Sequence, residues 1–238
     1  LEMPELKAEK VTYGVAEGAR VRAMETALSA DGTSFKAVTP WGTTQVRLRL
    51  LGRYNVSNAL AAIAACGSLG IAPDLAASVL QKIQFVPGRL EEIPNDRGVN
   101  IFVDYAHTDD ALEHVLATLR EITAGKLIVV FGCGGNRDRT KRPAMGKVAT
   151  RLADYSIITS DNSRKEKTAD IISEIRSGIE GQARYEVIED RAEAIGRAIQ
   201  MAQKNDTVLI AGKGHETFQE FGSTSFPFDD RQVVRRYL

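Results

Sequence analysis

The sequence predicts an α/β protein in two parts. A small antiparallel sheet with helices comes first, followed by an open, mostly parallel sheet with helices on both faces. Three observations carry this expectation. Val46, Leu48 and Leu50 alternate with Gln45, Arg47 and Arg49, the period of a strand with one buried and one wet face. Beyond residue 99, short runs such as Leu127–Phe131 are apolar at consecutive positions, as buried parallel strands are. These runs alternate with amphipathic stretches at helical spacing, which is the grammar of βαβ units.

In the first part, residues 11–50 read as β. Residues 21–29 and 33–39 are weaker strands joined at Asp31-Gly32, a hairpin signal. The small-residue run 58–68 reads as a helix suited to close packing on a sheet, with Asn58 as its cap and Gly70 as its stop. A second helix follows Pro73, with Leu75, Val79, Leu80 and Ile83 on one face. Val86-Pro87-Gly88-Arg89 then breaks the pattern, so a domain boundary is expected there, between 1–88 and 89–238. In the second part, strands are expected at 99–103, 127–131, 155–159, 185–188 and 207–211. Helices are expected near 108–122, 142–153, 168–179 and 191–203. The stripe Leu112, Val115, Leu116, Leu119 and Ile122 belongs to the core.

Composition narrows the function. The chain has 238 residues, of which 43% are hydrophobic, ample for one or two domains. Lys and Arg number 31 and Asp and Glu number 31, so no net charge points to nucleic acid or an acidic polymer. Cys66 and Cys133 form neither a zinc-site spacing nor a disulfide framework, which fits a reducing compartment. No apolar stretch approaches the roughly 20 residues that span a bilayer, and no signal peptide is evident. A cytoplasmic protein without a membrane partner is expected. Leu1-Glu2-Met3-Pro4 reads like the middle of something longer.

Open parallel sheets bind ligands at the carboxyl ends of their strands, so the loops there matter most. After strand 99–103, Thr108 and Asp110 suffice as cap and dipole partners of the next helix. Asp104 and His107 precede that helix, where a carboxylate can accept from ribose hydroxyls and a histidine can donate to an anion. After strand 127–131 come Gly132, Gly134 and Gly135, then Arg137, Arg139, Lys141 and Arg142. The glycines permit close backbone approach, and clustered arginines suit a carboxylate or phosphate. The third glycine comes too early for a dinucleotide fingerprint. After strand 155–159, Asp161, Asn162 and Arg164 can together hold a zwitterion, although this polar loop alone is not persuasive. After strand 207–211, Gly212, Lys213, Gly214 and Glu216 offer close backbone and an ammonium partner. The phosphate-loop pattern G-x-x-x-x-G-K-[ST] is absent from the chain. Together the loops suggest a small, multiply charged ligand.

Seven ordered segments carry a more specific signal: GRYNVSNALAA (52–62), VPGRLE (86–91), VDYAHT (103–108), FGCGGNRD (131–138), KRPAMG (141–146), SDNSR (160–164) and AGKGHE (211–216). In this order they resemble the Mur ligases, in particular the diaminopimelate-adding branch, and FDDRQV (228–233) resembles that family's C-terminus. The resemblance implies a Rossmann-like C-terminal amino-acid-binding domain at 89–238, preceded by the end of a central ATPase domain at 1–88. It implies an ATP-dependent ligase of peptidoglycan synthesis, acting through an acyl phosphate on a UDP-muramoyl dipeptide and meso-diaminopimelate. ATP and Mg2+ would be held mainly by a front half with a phosphate loop and a modified lysine. The chain alone is therefore expected to make no amide bond, and a monomer is expected. By position, Asn58 would contact adenine. Arg89 and Asp104 would contact the nucleotide, with Asp104 on the ribose and His107 nearby. Arg137, Asn162, Arg164, Gly212 and Glu216 would bind the diamino acid, with Asp161 and Ser163 completing that motif.

Three departures from the family pattern stand out. Ser163 replaces a proline, which should free its loop. Asp109 replaces a proline at a helix start, a conservative change. Asn136 replaces an aspartate beside Arg137, which should reorient the arginine. Alternatives are a ligase adding lysine or glutamate, a nicotinamide-dependent oxidoreductase using the GCGG turn, and a non-catalytic amino-acid-binding module.

Overall fold

A computed structural model describes residues 8–29 and 31–238; the opening residues Leu1 to Pro4 lie outside the described residues. The chain divides into two compact units, Leu1–Gln84 and Phe85–Leu238.

The first unit holds β1 (Tyr13–Gly14), β2 (Val21–Ser29), β3 (Gly32–Thr39), β4 (Gly42–Leu48), α1 (Arg53–Ser68) and α2 (Pro73–Leu80). The sheet order is β1-β2-β3-β4, antiparallel except for the short β1–β2 pairing. The hairpin at Asp31-Gly32 is present, with Ser29 opposite Gly32. In β4 the alternation buries Val46 and Leu48 and exposes Gln45 and Arg47. These residues join Val21, Phe35 and Ala37 against Val56, Ala59, Leu60 and Ile63 of α1 in one core. Small residues on α1 permit that approach, as expected.

Two expectations about these helices need correction. Asn58 is not a cap: α1 begins at Arg53 behind Gly52, which has φ 98° and makes no side-chain cap. Asn58 sits in the second turn, exposed, with Nδ2 donating to Asn55 Oδ1 at 3.1 Å. The face of α2 carrying Leu75 and Val79 is outside the core of this unit, with 59% and 52% of each residue exposed. Its buried side chains are Pro73, Ala76 and Ala77 instead.

The second unit holds β5 (Glu91–Glu92), β6 (Asn100–Asp104), α3 (Asp109–Ile122), β7 (Leu127–Phe131), α4 (Lys141–Leu152) and β8 (Tyr155–Ile158). These are followed by α5 (Thr168–Arg176), β9 (Tyr185–Val187), α6 (Arg191–Met201), β10 (Thr207–Ala211), β11 (Phe218–Phe221), β12 (Thr224–Pro227) and α7 (Asp230–Tyr237). The main sheet runs β5-β6-β10-β7-β8-β9 and is parallel apart from β5. Because successive side chains point to opposite faces, each central strand feeds two layers. Ile101, Val103, Ile128, Val130, Ile157, Val208 and Ile210 form one core with Ala194, Ile195, Ala198 and Ile199 of α6 and Val233 and Val234 of α7. The alternate residues, among them Phe102, Val129 and Leu209, are likewise buried. Leu112, Val115, Leu116 and Leu119 of α3 are buried in the same unit. Thr108 caps α3 by accepting from the Ala111 amide at 3.2 Å, which is worth about 1 kcal/mol.

This is the open, Rossmann-like α/β sheet that the alternating strands and helices predicted. The sequence reading had no place for β5, the β11–β12 hairpin or α7.

Candidate functional site

All four loops singled out in the sequence meet at the carboxyl edge of the main sheet, and each has a determinable role. At the end of β6, Asp104 is buried, and both its oxygens are engaged. Oδ2 accepts from the Leu90 amide and Oδ1 from the Ala106 amide, each at 2.7 Å. Burial raises its pKa above the ordinary value; the two amides and the charge of Arg89 oppose that rise. Asp104 therefore ties the segment entering β5 to the end of β6. Tyr105 gathers the neighbouring groups: the Arg89 guanidinium lies 5.0 Å from its ring, His107 at 4.6 Å and His215 at 5.3 Å. His107 is exposed, with Nδ1 on the Tyr105 carbonyl, and Lys141 Nζ donates to the His107 carbonyl at 2.6 Å.

The loop after β7 differs from its sequence reading. Arg142 is fully buried and bonds Glu166 through both terminal nitrogens, at 2.9 and 3.0 Å, and Glu174 at 2.8 Å. Arg139 also pairs with Glu174. These partners hold Glu166 down to a pKa of about 2, with the Arg142 hydrogen bonds as the largest cause. So two of the four basic residues, Arg139 and Arg142, are neutralised by carboxylates of the same unit. Arg137 is exposed, as is Arg139, and its Nη1 donates to the Asn136 carbonyl. Asn136 adopts φ 53°, a conformation asparagine tolerates, and its Oδ1 accepts from the Lys165 amide at 3.0 Å.

The glycines also do something different from what was expected. A Cβ on Gly135 would stand 1.9 Å from the Ser163 carbonyl oxygen. One on Gly214, at φ 53°, would meet Tyr105 Cβ at 2.7 Å. These glycines let neighbouring loops close on one another. The space beside Gly135 is occupied by protein, which counts against a pyrophosphate in the GCGG turn.

The loop after β8 is the hub. Asp161, Asn162 and Ser163 are all buried. Asn162 Nδ2 donates to Glu216 Oε2 at 3.0 Å, while its Oδ1 accepts from Lys213 Nζ at 3.1 Å and from the Glu220 amide at 3.0 Å. Asp161 Oδ1 accepts from the Asn162 amide, and a Cβ on Gly212 would stand 2.7 Å from Asp161 Oδ2. Ser163 Oγ shares a 2.8 Å hydrogen bond with Thr168 Oγ1. The expectation that losing proline frees this loop is thus corrected: a side-chain hydrogen bond anchors the loop where a ring would have stiffened it.

Arg164, at φ 49°, donates through Nη1 to the Gly135 carbonyl at 3.1 Å, and its Nε lies 3.0 Å from Glu220 Oε2. Arg164 lines a cavity of ≈ 380 Å³. Asn136, Lys165, Glu220 and the β11–β12 turn also line that cavity. Beneath this assembly, Arg191 and Asp230 form a fully buried bidentate pair at 2.8 Å. Arg191 also donates to the carbonyls of Ser160 and Ala211, fastening the ends of β8 and β10 together.

The structure therefore brings Asp161, Asn162, Ser163, Arg164, Gly212 and Glu216 together. It places Arg137 at their margin and Arg89, Asp104 and His107 around Tyr105. Asn58 belongs to the first unit. Lys213, Glu220, Arg191 and Asp230 were not picked out as site residues. Arg191 carried a signal: a cation in the first turn of a helix opposes the dipole unless a carboxylate meets it. Lys213 had only its two flanking glycines.

Comparison with known proteins bears on the family and the fold. Residues 88–214 match the model of the Mur ligase glutamate ligase domain, and residues 2–66 match that of the Mur ligase middle domain. A UDP-N-acetylmuramoyl-L-alanyl-D-glutamate–2,6-diaminopimelate ligase of Bacillus velezensis is 48% identical over 231 residues, covering 97% of this chain and 47% of the relative. The enzyme of the same name from Geobacter metallireducens is 46% identical over 243 residues, covering 95% and 48%. A solved structure of such a ligase superposes with a TM-score of 0.70 at 39% identity, over 95% of this chain and 47% of that one. A UDP-N-acetylmuramate-alanine ligase of Thermotoga maritima, at 21% identity and TM-score 0.69, shares the fold. The chain spans about half the length of the curated relatives it matches. Since the glutamate ligase domain model alone covers more than half of its residues, this chain belongs to the Mur ligase family.

Proposed function

We propose that this chain provides the amino-acid-receiving part of an ATP-dependent ligase, joining meso-diaminopimelate to UDP-N-acetylmuramoyl-L-alanyl-D-glutamate in the cytoplasm. Residues 1–88 are the end of the central ATPase domain, and 89–238 are the amino-acid-binding domain. The observation that carries the reading is the loop after β8. Arg164, paired with Glu220, lines the cavity, while Asn162 and Glu216 form one hydrogen-bonded unit. A diamino dicarboxylic acid presents the complementary groups: a carboxylate for Arg164 and an ammonium for Glu216. Arg137 supplies a second cation from another loop, for the second carboxylate.

In this reading the chain acts by placement. ATP converts the acceptor carboxylate to an acyl phosphate. The neutral amine of the held amino acid attacks the acyl carbon, the C–N bond forms, phosphate leaves with the electrons of the broken C–O bond, and the nitrogen gives up a proton to solvent to leave the neutral amide. Arg89, with His107 nearby, offers cationic and donor groups toward a nucleotide. Asp104 would meet the ribose through lone pairs not used by its two amides. Asn58 would meet adenine. Among the described residues, no group of three or more His, Cys, Asp or Glu could hold a metal ion; in this reading Mg2+ is held mainly by the front half of the ligase. No helix among them is long and apolar enough to cross a membrane.

Isothermal titration of the chain with meso-diaminopimelate, lysine and glutamate tests this function. Diaminopimelate should bind more tightly than lysine by roughly 10- to 150-fold, the value of one charge-assisted hydrogen bond. Arg164→Ala should remove most of that ratio. Equal binding of lysine, or a ratio unchanged by the substitution, would sink the assignment. The isolated chain should show no ATP-dependent ligation.

A further inference from the structure

Lys213 is completely buried, although it carries an amine rather than an apolar side chain. Gly212, at φ 118°, and Gly214, at φ 53°, flank it, and the Glu216 amide donates to its carbonyl at 2.9 Å. This tight turn directs Lys213 inward and sets Glu216 beside it. Its Nζ donates to Asn162 Oδ1 at 3.1 Å and to Glu216 Oε2 at 3.2 Å, and it lies 5.6 Å from the centre of the Phe218 ring. Burying an ammonium is costly unless it is paired and hydrogen-bonded. A merely structural slot of this size would be filled more cheaply by an apolar side chain.

The hydrogen bonds suggest why a cation is there. Asn162 Oδ1 receives two donors, Lys213 and the Glu220 amide, so the side-chain amide has one orientation available. That orientation aims Nδ2 at Glu216. Glu216 Oε2 then receives both Asn162 and Lys213, which fixes the carboxylate plane. Glu216 Oε1 has no hydrogen bond among the described residues, and the residue is only partly buried.

We propose that Lys213 is a positioning residue. It locks Asn162 and Glu216 so that Oε1 of Glu216 is presented as the acceptor for an ammonium group on the incoming amino acid. Lys213 itself need not touch the ligand. Recognition of the second amine of a diamino acid therefore depends on a lysine buried behind the carboxylate. This inference rests on the function proposed above and specifies how one part of that site works.

The test uses the 238-residue chain and two ligands. One is meso-diaminopimelate; the other is 2-aminopimelate, which keeps both carboxylates and lacks one amine. The wild type should prefer diaminopimelate. Lys213→Met should weaken diaminopimelate about 10-fold and leave 2-aminopimelate within about 2-fold, because only the ammonium acceptor is released. Glu216→Gln should give the same pattern, and the double variant should add little, as expected for residues acting as one unit. Lys213→Gln, which keeps a donor without the charge, should fall between, and it carries the test if Lys213→Met does not fold. Equal weakening of both ligands would show a purely structural lysine and overturn the proposal. So would an unchanged ratio, in which case the amino-acid assignment survives. A wild-type chain that binds neither ligand would remove the amino-acid assignment and this inference with it.

Discussion

Two loops on the same sheet edge make opposite use of charge. The loop after β7 has four basic residues in six positions and looks, as a sequence, like an anion trap. It spends Arg139 and Arg142 on Glu166 and Glu174, and Lys141 on a backbone carbonyl. The loop after β8 has a single arginine in Ser160 to Arg164 and looks ordinary. Yet it holds the buried Asn162, on which Lys213, Glu216 and Glu220 converge, and Arg164, which borders the cavity. Charge density in a loop measures how much must be neutralised; it does not measure how much is left for a ligand.

The strongest way to break this contrast is to remove what supports the β8 loop. Arg191→Met leaves Asp230 as an unpaired buried carboxylate and takes two donors from the ends of β8 and β10. It should cost about 3–5 kcal/mol in urea unfolding. Adding Asp230→Leu should recover part of that loss, because a buried ion pair can often be exchanged for apolar packing. If the single variant unfolds like wild type, the pair is not the fastening described here.

Asn162→Ala comes next. It removes the partner of Lys213, Glu216 and the Glu220 amide together, and should cost about 1–3 kcal/mol while abolishing diaminopimelate binding. Stability lost without loss of binding would separate the hub from the ligand site.

The β7 loop should announce itself through pH. Glu166 is held to a pKa of about 2 from an ordinary 4.5, so its stabilising contribution is complete above about pH 4.5 and is lost as pH falls through about 2. Glu166→Gln should flatten that acid limb in thermal unfolding monitored from pH 5 to pH 2. An identical limb in the variant would mean that another carboxylate dominates.

The smallest effect belongs to Arg137. It is exposed, so Arg137→Ala should change unfolding free energy by no more than about 0.5 kcal/mol. Its effect on diaminopimelate affinity should nevertheless be measurable by titration. Destabilisation without an affinity change would place Arg137 with Arg139 and Arg142 as a structural cation.

Much of the fold was legible because its signals are local. The strands at 127–131 and 207–211 end where their apolar runs end, and Thr108 caps α3 as its type and place suggested. Misses arose where the deciding group is remote or has no side chain. Glu166 and Glu174 lie 24 and 32 residues from Arg142, so no window around the arginine reveals them. The start of α1 rests on Gly52, which offers no capping oxygen to read. The β11–β12 hairpin turns at Gly222-Ser223, a recognisable turn pair. Most of its strand residues are exposed, so no alternation marks them. Ser163 could be read as a missing proline, but its bond to Thr168 required the fold.

The order of strands sets a schedule as well as a shape. β10 pairs with β6 on one side and β7 on the other, so the strand between the two earliest long strands of this sheet is the last of its parallel strands to leave the ribosome. Until Thr207–Ala211 is available, the facing edges of β6 and β7 lack their native partner, and such edges invite pairing with other chains. The same insertion makes the central contacts of the sheet long-range, which slows folding because loop closure must precede the reward of pairing. The Gly212–Glu216 turn follows β10 directly, so the ligand-facing edge is completed by the strand that closes the gap. The β11–β12 turn that lines the cavity and Asp230 beneath it emerge only after β10, so the edges are protected before the cavity is complete.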